Sequence, residues 1–143
     1  MSKVLVVGSS NYDLCWSCSS LPLKGQTVGG TSFATFMGGK GANQAVAAAR
    51  IGASVAFCGS VGSDSFGDQM LEGISGAGAD VSFVKRSPLP SGTASVVVES
   101  SGANQIVVAL GANMDLNPDD VRAAIEKFEP DYILAQLEVP LEA

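Results

Sequence analysis

Short apolar runs alternate with helical patterns along most of the chain. Val4 to Val7 is uninterrupted and β-branched, as in strands that are buried on both faces. Ser54 to Cys58 has the same character, and Asp131 to Gln136 is a further strand pattern that would be buried on both faces only if more units of the fold followed. The alanine-rich segment Gly41 to Ile51 and the segment Asp64 to Ser75 favour helices. This alternation predicts an α/β fold with a mostly parallel sheet that is flanked by helices.

The last third of the chain follows the same rhythm. Val81 to Val84 is a short strand pattern, and Pro118 at a first helical position predicts a helix that runs to about Phe128. Pro140 again favours the opening of a helix. Because a parallel sheet needs covering helices and a protected edge, we expect the C-terminal part of the fold to be missing from these 143 residues.

Three β-prone stretches interrupt the rhythm, namely about 12–18, 25–37 and 91–110. Thr31 to Met37 and Thr93 to Glu99 roughly alternate polar and apolar residues, and the last stretch contains a hairpin pattern. We expect them to form a small antiparallel sheet inserted into the α/β layer of one domain, residues 1–143. Trp16 and Phe36 are candidates for an apolar dimer surface on this sheet, and core packing is an equal alternative.

Composition narrows the class of protein. The hydrophobic share of 46% permits a real core, and the net charge of −6 disfavours nucleic acid and anionic membranes as partners. No signal peptide and no apolar run of membrane-spanning length are visible, so the expected location is the cytoplasm. Cys15 and Cys18 have the spacing of a redox or metal motif, but no second pair and no histidine accompany them. We therefore expect structural cysteines and no metal site.

Glycines crowd the start of the alanine-rich helix, in the run Gly38-Gly39-Lys40-Gly41-Ala42-Asn43. Free N–H groups at a helix N-terminus bind anions and hydroxyl oxygens, and glycines let a ligand approach the backbone. A flexible strand-to-helix turn is the simpler alternative. The run is not a P-loop, because Gly41 follows Lys40 where Ser or Thr is required. A dinucleotide fingerprint is also excluded, because only Gly8 follows the first strand.

Polar residues also follow two of the predicted parallel strands. Asn11 and Asp13 come just after the first strand, and Glu138 comes after the last. The carboxyl ends of parallel strands meet at one edge of a sheet, where ligands bind in open α/β folds. Carboxylates accept hydroxyl protons and amides both donate and accept, so this set suits a polyol. An Asx-type turn and a solvent-facing Glu are the alternatives.

Taken together, the motifs resemble the ribokinase branch of the PfkB-type carbohydrate kinases over essentially the whole chain. The matching segments, in order, are Gly8-Ser9-Ser10-Asn11-Tyr12-Asp13, Gly38 to Ala45, Gly52, Gly62, Asp64, Gly67, Gly111-Ala112-Asn113 and Gln136-Leu137-Glu138. The resemblance implies a ribokinase-like fold whose β lid covers the sugar and often pairs in a homodimer. It also implies sugar-binding roles for Asn11, Asp13, Gly39, Lys40, Gly41, Asn43 and Glu138.

The same resemblance implies a reaction, the transfer of the γ-phosphoryl of MgATP to the primary hydroxyl of D-ribose, with a monovalent cation such as K⁺. In this family the catalytic base is an Asp in a glycine-rich segment late in the chain. No Asp-Thr-x-x-Ala/Gly-Gly-Asp pattern occurs here, so we assign no catalytic residue to this chain and expect the ATP and cation segments to be mostly absent. The alternatives are a kinase of another sugar or a nucleoside, and a non-catalytic sugar-binding or dimerisation fragment.

Overall fold

The computed structural model describes residues 2–143, which form two four-stranded sheets and three α-helices. The strands are β1 (Lys3–Val7), β2 (Asn11–Cys18), β3 (Gly30–Gly38), β4 (Ser54–Gly62), β5 (Asp80–Ser87), β6 (Thr93–Glu99), β7 (Asn104–Ala109) and β8 (Tyr132–Ala135). The helices are α1 (Lys40–Arg50), α2 (Ser65–Gly76) and α3 (Pro118–Phe128), with a short 3-10 helix at Gly111–Asp115.

The first sheet is parallel throughout and has the strand order β5-β4-β1-β8. Its central strand β1 is buried on both faces. Val6 packs with Ala45 of α1 and Ile74 of α2, whereas Leu5 packs on the opposite face with Ala124 of α3. All five side chains are almost completely buried, which explains the uninterrupted apolar run of β1. The predicted parallel sheet with flanking helices is confirmed.

Local chemistry sets where α2 and α3 begin. Asp64 is the N-cap of α2, and its side chain accepts a hydrogen bond from the backbone N–H of Gly67 at 2.9 Å. Asn117 and Asp120 form a capping box at the start of α3, with Pro118 in the first turn. These caps satisfy N–H groups that the helix itself leaves free.

The second sheet has the order β3-β2-β6-β7. Its outer pairings, β2 with β3 and β6 with β7, are antiparallel, but the central pairing of β2 with β6 is parallel. The sheet is therefore mixed: the predicted antiparallel arrangement holds for its two outer pairings and is wrong for the central one. β2 follows β1 and β6 follows β5 along the chain. Both therefore start from the same edge of the parallel sheet and run in the same direction.

Side chains of the outer strands β3 and β7 of the second sheet are much more exposed than those of the central strands β1 and β4 of the first, whose edge strand β8 is exposed as well. Phe33 and Phe36 are exposed by more than half, whereas Phe57 in β4 is completely buried. Trp16 packs beside Phe33 with ring centroids 5.2 Å apart. Pairing places Phe36 opposite Asp13, so Trp16 and Phe36 lie on opposite faces and do not form one surface.

Two further predictions concern helices. No helix follows Pro140, where only a turn forms with the N–H of Ala143 donating to the Pro140 carbonyl at 3.2 Å. Three residues after Pro140 are too few to close an i→i−4 ladder. Within residues 2–143, no helix has both the length and the apolar character that crossing a bilayer requires.

Candidate functional site

Three segments meet beside the edge at which β1 ends: the start of β2, the N-terminus of α1 and the residues after β8. Together with the second sheet they line an open cavity of about 240 Å³. The polar side of the cavity is lined by Asn11, Asp13, Gly39, Lys40, Asn43 and Glu138. The opposite side is apolar and consists of Ala94 and Val96 from β6 with Ile106 and Val108 from β7. A cavity below the usual range for drug-sized ligands suits a monosaccharide.

Gly39 fixes how α1 enters the site. Its φ of 90° lies in the left-handed region, which favours glycine. A Cβ there would also lie 2.6 Å from the Ser10 Cα and 2.8 Å from the Asn11 nitrogen. Only glycine permits this approach, which sets the first turn of α1 directly beside the start of β2.

Glu138 is held as an acceptor at the N-terminus of α1. The Ser9 hydroxyl donates to its Oε2 at 2.7 Å, and Lys40 forms an ion pair with its other oxygen. Burial acts to raise the pKa of Glu138, but the hydrogen bonds from Lys40 and Ser9 outweigh it and the pKa lies below its usual value. The Lys40 side chain is 65% exposed, so this ion pair contributes mainly charge and orientation and little stability.

Asp13 has the opposite electrostatic character. Its pKa is raised, first by burial and then by the negative charge of Glu138. Across residues 2–143 no group donates a hydrogen bond to its carboxylate, so both oxygens are available to a ligand. A desolvated carboxylate without a protein donor is costly unless a ligand supplies the hydrogen bonds.

Two amides complete the polar side. The Asn11 side chain is almost completely buried, and its Oδ1 accepts a hydrogen bond from Asn113 at 2.9 Å. Asn43 lies in the first turn of α1, where its backbone N–H bonds the Gly39 carbonyl and its side chain lines the cavity. The site thus offers carboxylate acceptors, amide groups and one ammonium within a single cavity.

Gly41 is the one predicted site residue that the structure does not bring to the cavity. A Cβ at this position would lie 2.7 Å from both the Gly8 carbonyl carbon and the Ser9 nitrogen. Gly41 therefore lets α1 lie against the connection from β1 to β2, and it acts by packing.

Sequence reasoning missed Ser9 and the apolar wall. Ser9 follows the first strand, as Asn11 does, and its position alone could have marked it. The wall residues alternate along β6 and β7, which predicts a shared face but not that this face turns toward the cavity.

A larger cavity, of about 440 Å³, lies between β3 and α2, but its central polar group is already satisfied. There the Tyr12 hydroxyl is 2.8 Å from Gln69 Oε1 and 3.1 Å from Thr35 Oγ1. The cavity brings together no set of charged side chains comparable to that of the smaller one, so the smaller cavity is the candidate site.

The cysteines and possible metal ligands offer no second centre. All three cysteines are free, and burial, followed by the charge of Asp120, raises the pKa of Cys58 to about 11. A thiol with this pKa is unreactive at neutral pH. Residues 2–143 contain no group of three or more Cys, Asp or Glu side chains that could hold a metal ion.

Comparison with known proteins identifies the family. Residues 1–142 match the family described as pfkB family carbohydrate kinase, and the chain belongs to that family. It is 43% identical to a ribokinase of Bacillus subtilis over 144 residues, covering 99% of this chain and 49% of that protein. It is 37% identical to a deoxyribokinase of Salmonella typhi, covering 97% of this chain and 46% of that protein.

Among solved structures, the chain is similar to Arabidopsis thaliana ribokinase complexed with ribose and ATP. The TM-score is 0.83 at 32% identity, and the match covers 97% of this chain and 46% of the other. The fold is therefore the ribokinase-like α/β fold. The chain spans about half the length of the curated relatives that it matches.

Proposed function

We propose that these residues form the sugar-binding half of a ribokinase, which transfers the γ-phosphoryl group of ATP to the primary hydroxyl of D-ribose. The observation that carries the proposal is the Asp13 carboxylate, which is partly desolvated and has no protein donor in a cavity of monosaccharide size. The similarity to ribokinases over nearly the whole chain supports the same function.

The two sides of the cavity suit the two kinds of surface on a sugar. Hydroxyl groups donate to Asp13 and Glu138 and bond the amides of Asn11 and Asn43, while C–H groups pack on the apolar wall that includes Val96. Fixing the sugar in this way orients its primary hydroxyl, and orientation of this kind supplies much of the rate enhancement in phosphoryl transfer.

ATP, when bound, supplies the phosphoryl group. The proposal also includes Mg²⁺ and a monovalent cation such as K⁺ as counterions. The described residues bring together no ligand cluster for either ion, so we assign no step of binding or catalysis on this chain to them. We assign no catalytic base to residues 1–143. What this chain does is bind, orient and desolvate the acceptor.

We propose further that the second sheet acts as a lid over the sugar and as a surface for homodimerisation, and that the protein works in the cytoplasm. Phe33 and Val107 support an association surface, because they are 56% and 72% exposed and lie on the face of this sheet that points away from the cavity. No partnership with nucleic acid or membrane is proposed, because the net charge is −6.

The test is ribose-dependent ADP release with MgATP, measured on the full-length protein that carries this chain and on the 143-residue chain alone. We expect release only from the full-length protein. Release by the chain alone would contradict our division of roles, and no release by either would contradict the kinase assignment.

The alternative candidate for the acceptor sugar is 2-deoxyribose, which the similarity to a deoxyribokinase favours. Competition experiments with 2-deoxyribose, fructose and adenosine against ribose distinguish the acceptors. The proposal expects ribose to give the highest kcat/KM.

A further inference from the structure

Asn113 does not line the cavity, but it forms a hydrogen bond with Asn11, which does. It is completely buried in the short helix that follows β7, and the proposed function gives it no role. Its Oδ1 accepts the backbone N–H of Ser10 at 2.9 Å. Its Nδ2 lies 3.1 Å from the Ser10 carbonyl, 2.9 Å from the Leu110 carbonyl and 2.9 Å from Asn11 Oδ1.

Backbone groups fix which way the Asn113 amide points. A backbone N–H only donates and a backbone carbonyl only accepts, so Ser10 and Leu110 together require Oδ1 and Nδ2 of Asn113 where they stand. Two amide protons are then shared among three acceptors. The reversed amide would set donor against donor and acceptor against acceptor, at a buried position where unmade hydrogen bonds are costly.

The fixed orientation of Asn113 in turn fixes Asn11. Because the Nδ2 of Asn113 is a donor, the atom of Asn11 that faces it must be the acceptor Oδ1, and the Nδ2 of Asn11 is left for the cavity. No hydrogen bond joins that Nδ2 to another residue of the described chain. An unconstrained Asn could present either atom to a ligand.

We propose that Asn113 is a positioning residue that makes Asn11 a hydrogen-bond donor to the acceptor sugar, and so complements the acceptors Asp13 and Glu138. The inference rests on the proposed function in that the ligand is a sugar hydroxyl. Gly92 lies against the same two amides. A Cβ at Gly92 would overlap with Asn113 Nδ2 and Asn11 Oδ1 and would lie 2.9 Å from the Ser10 carbonyl oxygen. Substitution at Gly92 should therefore disturb Asn11 from a second direction.

The first experiment is a double-mutant cycle on the full-length protein, with the dissociation constant of ribose measured by titration calorimetry. Asn113→Ala should weaken ribose binding roughly 3- to 10-fold, the range expected for one hydrogen bond. If Asn113 acts through Asn11, Asn11→Ala combined with Asn113→Ala should bind no more weakly than Asn11→Ala alone. Independent, additive losses, or an unchanged dissociation constant in Asn113→Ala, would overturn the proposal.

Gly92→Ala is the second variant and should reproduce the loss of affinity. Asn117→Ala is the matched control: it removes the N-cap of α3 and lowers stability, but Asn117 does not line the cavity. If Asn117→Ala weakens ribose binding as much as Asn113→Ala does, the effect is one of general stability and the proposal fails.

A third measurement needs no substitution and no ribose. In the free protein, side-chain amide hydrogen exchange by NMR should be slow for Asn113 and faster for Asn11, whose Nδ2 faces the cavity. Slow Asn11 exchange combined with fast Asn113 exchange would overturn the proposed orientation. If wild-type protein shows this exchange pattern but does not bind ribose, the proposed function fails and the amide arrangement stands.

Discussion

The central strands of the parallel sheet and the outer strands of the second sheet bury their side chains to very different extents, and the two sheets contribute different surfaces to the candidate site. In the parallel sheet, Leu5, Val6 and Phe57 are completely buried between helices. In the second sheet, every residue of β7 is exposed and the large side chains of β3 lie at the surface. The parallel layer therefore supplies stability and holds charged groups at its edge, while the second sheet supplies an apolar cover with little core of its own.

The difference in burial predicts the largest effect. Phe57→Ala should lower the free energy of unfolding by about 3–5 kcal/mol, because it leaves a cavity in the core. Phe33→Ala is the matched control in the second sheet and should cost at most about 1.5 kcal/mol, the range for its contact with Trp16. Urea denaturation measures both. Similar losses for the two variants would show that the second sheet has a core comparable to the first.

The junction between the two sheets is tested at Gly39. Gly39→Ala should lower the free energy of unfolding by roughly 2–4 kcal/mol. A residue with a side chain loses about 1–2 kcal/mol at this left-handed φ, and the clash of its Cβ with Ser10 adds to that loss. Gly52→Ala is the matched control, since Gly52 has a φ of 93° but nothing within 4 Å of a Cβ. It should cost only about 1–2 kcal/mol. Equal losses in the two variants would mean that the approach of α1 to β2 is not tight.

At the polar edge, affinity and stability should respond differently to the same change. Asp13→Ala should weaken ribose binding roughly 10- to 100-fold, because hydrogen bonds to a charged group are lost. Its free energy of unfolding should stay the same or rise, because the Asp13 carboxylate is desolvated and faces Glu138. Asp119→Ala, which removes an exposed carboxylate paired with Arg122, is the control and should leave affinity unchanged. A large loss of stability in Asp13→Ala would make Asp13 a structural residue.

The smallest expected effect is the pH dependence of stability. Because the pKa of Asp13 is raised on folding, the folded protein holds this proton more tightly than the unfolded chain does. The contribution of Asp13 to stability is therefore greatest below the unfolded pKa of about 3.8 and declines as pH rises through the higher folded pKa.

Asp13→Asn removes this decline, so its stability relative to wild type should increase between pH 3.5 and pH 7. Urea denaturation at both pH values measures the difference. A relative stability that is constant, or that falls toward pH 7, would contradict the raised pKa.

Most of the parallel layer could be predicted from the sequence because its signals are local. Val4 to Val7 is apolar on both faces, Asp64 has the chemistry of an N-cap, and Pro118 marks a first helical turn. The parallel pairing of β2 with β6 could not be predicted, because it joins residues about 80 positions apart whose order depends on the whole chain.

The site divides in the same way. Position after a strand and type of side chain were enough to mark Asn11, Asp13 and Glu138 as neighbours. They could not show that Gly41 packs against the backbone, since a ligand and a backbone both call for glycine. From the sequence, Asn113 is only part of a matching segment, because its hydrogen bonds to Ser10 span 103 positions of sequence.

The most direct test of the shared cavity is backbone hydrogen–deuterium exchange of the full-length protein with and without ribose, read by mass spectrometry. Our account predicts that ribose slows exchange in residues 11–13, in the first turn of α1 and in β6 and β7 together, since both sides of the cavity contact one ligand. Protection of the polar edge without β6 and β7, or protection confined to other segments, would contradict the claim that the two sheets form one sugar site.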